Sequence, residues 1–301
     1  MAFAFSSNMT STFRPFWSNC LRLVQLSILI GPAQLYAADT SIQLLADPVS
    51  IAGHSGTMSI DNLQQMTMKS SGRFAMNCAP ISELQGALLC LANQQRPMND
   101  ALIRMGYYMG AGARFAPGSL VEKNNPSVRI QSKYVKGHNL PGDVILGFFA
   151  GEKTNTNLHL ALNPREKQFY DVVVESPQIS TLGNHFYVIA VYAHNRSDIQ
   201  QGITHEIRHA YYYLRPEIQA AVKGFWQARV SEADKLRIRS ALRNEGYNNE
   251  NEDLVVDEFQ AYILEDNAKL DTTNPIPTLV DKYAPALRTA VNGATLLAPV
   301  E

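Results

Sequence analysis

In the segment Ile203-Thr204-His205-Glu206-Ile207-Arg208-His209-Ala210, two histidines stand four residues apart with a glutamate beside the first. On a helix that spacing projects both side chains from one face, a turn apart. The spacing therefore calls for a helix here, and for a second element opposite it to complete whatever the imidazoles hold. An apolar stripe at Ile199, Ile203, Ile207, Ala210 and Leu214 gives such a helix a face to bury. Ser197 with Gln200 makes a capping-box pattern at its start, and Pro216 is expected to end it.

Zinc favours nitrogen ligands of this kind, and a catalytic site keeps one coordination position open for water. His205 and His209 are the candidate zinc ligands. Glu206 is the candidate general base, placed to take a proton from that water and hand it to a leaving amine. A pattern with three fixed positions also arises by chance. What distinguishes this copy is the β-rich run before it, the cap and the stripe.

The third ligand separates the zinc families. In the pattern H-E-x-x-H-x-x-G-x-x-H the glycine and last histidine would fall on Tyr212 and Arg215, so that branch is excluded. A carboxylate from a later helix is the alternative, and the stretch Asp257-Glu258-Phe259-Gln260-Ala261-Tyr262-Ile263-Leu264-Glu265 offers one. Glu258 is the leading candidate, with Glu252, Asp253, Asp257 and Glu265 as alternatives that could equally be solvated acids on a helix face.

An H-E-x-x-H helix with a glutamate on a later helix resembles the gluzincin metallopeptidases. The string Glu258-Phe259-x-Ala261, with Glu265 further along, is similar to the ligand helix of the titration-factor and anthrax-lethal-factor-like branch. The resemblance covers two short helices. It implies a zincin-like fold, bound zinc with Glu258 as third ligand, and hydrolysis of a protein or peptide substrate. It also implies a substrate lying as an extra strand along the sheet edge above the active-site helix. Thermolysin-type relatives carry an Asp four residues after the ligand Glu, where this chain has Tyr262. That departure leaves Asp257, Glu265 and Asp266 as candidates to orient the histidines. Among the tyrosines near the motif, Tyr262 is the candidate to stabilise an oxyanion, although packing is the ordinary role of such residues. His185 and His194 read as structural, and Arg208 as a surface residue.

Elsewhere the chain is less specific. Residues 1–37 read as a signal peptide: Arg14 and Arg22, no acid, a short apolar run from Leu23 to Gly31, then small residues. That run is too short to be a stable membrane span, so an exported protein, periplasmic or secreted, is expected. Of the remaining cysteines, Cys78 and Cys90 suggest one disulfide, with free thiols or a Cys78 zinc contact as alternatives. A formal charge of −1 provides no footprint for nucleic acid. Residues 38–80 read as an irregular or weakly β arm and 81–301 as the main domain.

Within that domain, helices are expected over 81–95 and 99–108. Strands are expected at 144–149, 158–162, 169–174 and 186–192, then helices to the C-terminus, one capped by Ser231 and Asp234 and another reaching Leu264. The class is α+β, a mostly antiparallel sheet followed by an active-site helix and a helical C-terminal part. Two other functions stay open: a binding or inhibitory protein keeping the gluzincin scaffold without turnover, and a metal-dependent amidase acting on cell-wall peptide.

Overall fold

A computed structural model of the chain describes residues 49–51, 73–111, 115–131, 135–154, 161–192, 196–265 and 276–297. Five strands carry the fold: β1 (Val49–Ile51), β2 (Met76–Pro80), β3 (Ala87–Ala92), β4 (Gly137–Pro141) and β5 (Tyr187–Tyr192). The helices before β5 are α1 (Gln95–Tyr108), α2 (Pro126–Gln131), α3 (Gly142–Thr154), α4 (Pro164–Phe169), continued by a π-helical turn at Tyr170–Val174, and α5 (Pro177–Ser180). After β5 come α6 (Arg196–Leu214), α7 (Pro216–Arg229), α8 (Glu232–Asn244), α9 (Glu252–Leu264), a 3-10 turn at Ile276–Leu279 and α10 (Val280–Leu297). The class is α+β, and the described chain is mostly helical.

The sheet runs in the order β1-β2-β3-β5-β4. The β2–β3 and β4–β5 pairings are antiparallel, whereas β1–β2 and β3–β5 are parallel. It is a mixed sheet, not a meander, because helices interrupt the chain between β3 and β5. Leu88, Cys90, Leu140, Val188 and Ala190 face one side, packed with Met98, Leu102, Ile145, Phe148 and Phe169. Leu89, Leu91, Ile189 and Val191 face the other, against Ile203, Ile207, Ala210 and Leu214 of α6. A Cβ on Gly202 would lie 3.0 Å from Val191, so the absent side chain lets α6 approach β5 closely. A separate apolar cluster around Val222, Trp226, Ile238, Phe259 and Leu287 joins α7 to α10.

Several expectations need correcting. The stretch 81–95 holds strand β3, not a helix. All six β3 residues are buried, and a strand covered on both faces is a continuous apolar run in which a three-and-four spacing can be picked out by accident. The expected strand at 144–149 lies in α3, whose core residues Ile145, Phe148 and Phe149 follow helical spacing. The expected strand at 169–174 is the end of α4 and the π-helical turn. Asn163 accepts from the Arg165 and Glu166 amides in a full capping box, so Asn163-Pro164 opens a helix and does not mark a strand turn. Most of 158–162 lies outside the described residues. In the described part of 38–80, β1 and β2 are hydrogen-bonded into the sheet, the β alternative of the two expected for this arm. Strand β4 was not foreseen.

Other expectations hold. The helix expected over 99–108 is present and starts earlier, at Gln95. Tyr187–Tyr192 is a strand. Leu214 ends α6, and Pro216 opens the next helix. Ser231 caps α8 by accepting from the Asp234 amide, and Asn251 caps α9 by accepting from Leu254. Cys78 and Cys90 are directly opposed across β2 and β3 and form a disulfide.

Candidate metal centre

Two helices build the site. The apolar stripe of α6 docks on the sheet, which turns His205 and His209 toward α9. In α9, Val255, Val256, Phe259 and Ile263 join the C-terminal core. The helical period then places Glu258, Tyr262 and Glu265 along the flank that meets α6.

His205, His209 and Glu258 converge. The two imidazole Nε2 atoms are 3.3 Å apart, and Glu258 Oε2 lies 3.8 Å from His205 Nε2 and 3.9 Å from His209 Nε2. A triangle with those sides has a circumradius of about 2.1 Å, which matches zinc–nitrogen and zinc–oxygen distances of about 2.0–2.2 Å. Glu258 Oε2 is buried and meets no hydrogen-bond donor. A carboxylate oxygen without a donor is costly in a protein interior, and a cation at the centre of the triangle would satisfy it. The residues present fit a metal ion.

The outer nitrogens have partners as well. His209 Nδ1 lies 2.9 Å from Asp257 Oδ1, an electrostatic contact at an angle poor for a hydrogen bond. His205 Nδ1 lies 3.4 Å from Glu265 Oε2. Each imidazole thus faces the shared centre with Nε2 and a carboxylate with Nδ1, the arrangement that fixes the tautomer and orientation of histidine ligands. Of the three orienting candidates, Asp257 and Glu265 are brought in, and Asp266 lies outside the described residues.

The electrostatics suit a cation. Burial opposes a charge on His209, but the Asp257 and Glu258 carboxylates outweigh it and lift its pKa to about 9. His205 is raised well above its ordinary value for a similar reason, with Glu258 and Glu265 overcoming burial. Burial pushes the Glu258 carboxyl up, and the two histidines, with a hydrogen bond from Tyr247, bring it below its ordinary value. The same negative potential that favours imidazolium favours a bound metal.

The alternative ligands serve other ends. Glu252 accepts from Trp226 Nε1 at 2.6 Å and pairs with Arg239. Asp253 pairs with Lys223 at 2.8 Å. His185 stacks on Tyr213, and His194 lies outside the described residues. Tyr262 packs edge-on against the His205 ring, with centroids 4.8 Å apart, while its hydroxyl donates to Glu245 Oε2 at 2.9 Å.

Glu206 faces the sheet edge. Its Oε2 accepts from Asn139 Nδ2 at 2.8 Å, and its Oε1 sits 2.6 Å from where a Cβ on Gly137 would be. Sequence reasoning missed both residues of β4, because Gly-His-Asn-Leu-Pro carries turn formers and no alternation. No protein-family model, no curated protein and no solved structure matches the chain.

Proposed function

We propose that the chain is an exported zinc metallopeptidase of gluzincin type. The observation that carries this reading is the convergence of His205 Nε2, His209 Nε2 and Glu258 Oε2 around one point, with a carboxylate behind each imidazole. Two nitrogens and one oxygen, with a fourth position free, are the donor set of catalytic zinc. Zinc, when bound there, supplies the Lewis acid that polarises a carbonyl and acidifies water.

The remaining work falls to the chain. Glu206 accepts a proton from the attacking water and returns it to the departing amine. Strand β4 is an edge strand among the described residues. Lys136 accepts from the Tyr192 amide and Gly142 donates to Phe186, so even-numbered positions of β4 bond to β5. The main-chain groups of Gly137 and Asn139 therefore point to the open side. An extended peptide can pair there beside Glu206, held by main-chain hydrogen bonds. The Cys78–Cys90 disulfide supports an oxidising compartment. Among the described residues no helix is long and apolar enough to cross a membrane.

The test is zinc content and hydrolysis of casein or short peptides by the purified mature protein and by Glu206→Gln. The expected result is near-stoichiometric zinc in both and a loss of about 100-fold or more in kcat for the variant. Equal rates in the two proteins rule the reading out. Cleavage of purified peptidoglycan in place of unfolded protein would move the assignment to a cell-wall amidase.

A further inference from the structure

Glu206 is the one acidic residue of the cluster whose carboxylate is met by the sheet and not by the histidines, and the contact is made twice. Asn139 donates its side-chain amide to Oε2 at 2.8 Å. At Gly137, two residues earlier on the same face of β4, the missing side chain leaves the space in which Oε1 sits, since a Cβ there would be 2.6 Å from that oxygen. We infer that Asn139 and Gly137 are a positioning pair for Glu206, one donating to the carboxylate and the other making room for it, so that its rotamer is set by the edge strand.

The argument is geometric. A glutamate has three side-chain torsions, and a general base must hold one carboxylate position while proton transfer proceeds. Neither contact comes from Glu206's own helix, so both fix the side chain relative to the strand. The two residues also present their main-chain groups to the open edge. The strand that would seat a peptide therefore also sets the base, and a shift of β4 against α6 would disturb both together. The substitution Gly137→Ala is informative because the three atoms nearest to the new Cβ all belong to the Glu206 side chain: Oε1 at 2.6 Å, Cδ at 3.4 Å and Cγ at 3.5 Å. The end of a flexible side chain can move aside, so the protein folds while the carboxylate is displaced.

The kinetic part of the test rests on the peptidase reading, and a second part does not. In isotope-labelled protein, the Asn139 side-chain amide signals should shift between the wild type and Glu206→Ala, whatever the protein does. In the hydrolysis assay, Asn139→Ala and Gly137→Ala should each lower kcat by about 10- to 100-fold, with KM within about twofold and zinc content unchanged. Asn139→Asp, of the same shape but with the donor replaced by a second acid, should lie below Asn139→Ala. A space-filling role for Asn139 gives the reverse order and would overturn the inference. So would unmoved amide signals, or full kcat in Asn139→Ala and Gly137→Ala. A wild type without zinc-dependent hydrolysis would sink the peptidase reading alone, and the amide signals would then decide whether the pair holds Glu206.

Discussion

Replacing Asp257 by alanine should weaken zinc binding while leaving all three ligands in place. Asp257 Oδ1 stands 2.9 Å from His209 Nδ1, and the His209 side chain is only 1% exposed. Gln260, itself buried, donates to the same oxygen at 3.1 Å, which fixes the carboxylate. Without it, the Nδ1–H of a buried ligand loses the carboxylate charge beside it and has little access to water. Loss of such an outer partner costs about 10- to 100-fold in metal affinity, or about 1.4–2.7 kcal/mol. Glu265 offers the internal comparison. Its contact with His205 is longer, at 3.4 Å, and that histidine is 16% exposed, so water can replace the lost acceptor. Glu265→Ala should therefore cost less than Asp257→Ala. Competition against a chromophoric zinc chelator at fixed pH measures both, with far-UV circular dichroism to establish folding. Thermal unfolding adds a check: zinc at 100-fold over the wild-type Kd adds about 2.7 kcal/mol. A variant binding 30-fold more weakly keeps about 0.9 kcal/mol of that. A folded Asp257→Ala with wild-type affinity, or a larger loss in Glu265→Ala, would refute the claim that these contacts orient the ligands.

Two further outcomes follow from the other side of the sheet. His138 is buried, its Nε2 2.6 Å from Asn99 Oδ1. Asn99 donates its amide to Val135, so the histidine Nε2–H is the donor in that contact. Burial depresses its pKa to about 3. The unfolded chain takes up a proton near pH 6.5 and the folded one does not, so this contribution to stability is complete above about pH 6.5 and falls away as the pH drops toward 3. Urea unfolding of the wild type and His138→Gln should show their stability difference shrinking by about 2 kcal/mol from pH 7 to pH 5, and a constant difference would count against a neutral buried imidazole. Arg104 and Glu166 form an ion pair at 2.8 Å with both side chains 1% exposed. Glu166→Ala should destabilise the fold by about 3–5 kcal/mol in the same assay, and a loss below about 1 kcal/mol would show that the Arg104 charge finds relief elsewhere.

The parts legible from the amino-acid order are those set by local rules. His205 and His209 needed only the helical period, and Ser231 names a helix start by its own hydrogen bond. Glu258 needed more, since its helix had to return across two others. The period again did most of the work, because any docking of α9 that buries Val255, Phe259 and Ile263 turns Glu258 to a flank. Two stretches before β5 depart from expectation for a complementary reason. Ala87–Ala92 is buried on both faces, and Val144–Phe149 carries no polar side chain although only Ile145, Phe148 and Phe149 in it are buried, so neither stretch offers polar positions from which a period could be read.

What no local pattern could supply is the partner of Glu206. Asn139 and Glu206 are 67 positions apart, and their contact depends on β4 lying outermost beside β5, with α6 on the correct face. Each condition is settled by tertiary packing: β4 by its antiparallel register with β5, and the closeness of α6 by Gly202 against Val191. A glycine and an asparagine in a short segment ending in proline resemble a turn until that packing is known, since their roles here are to leave a space and to donate one hydrogen bond. Ligands can be found from spacing because a metal asks for several residues of fixed type. A residue that only steers one carboxylate carries no such demand, and coordinates are needed to find it.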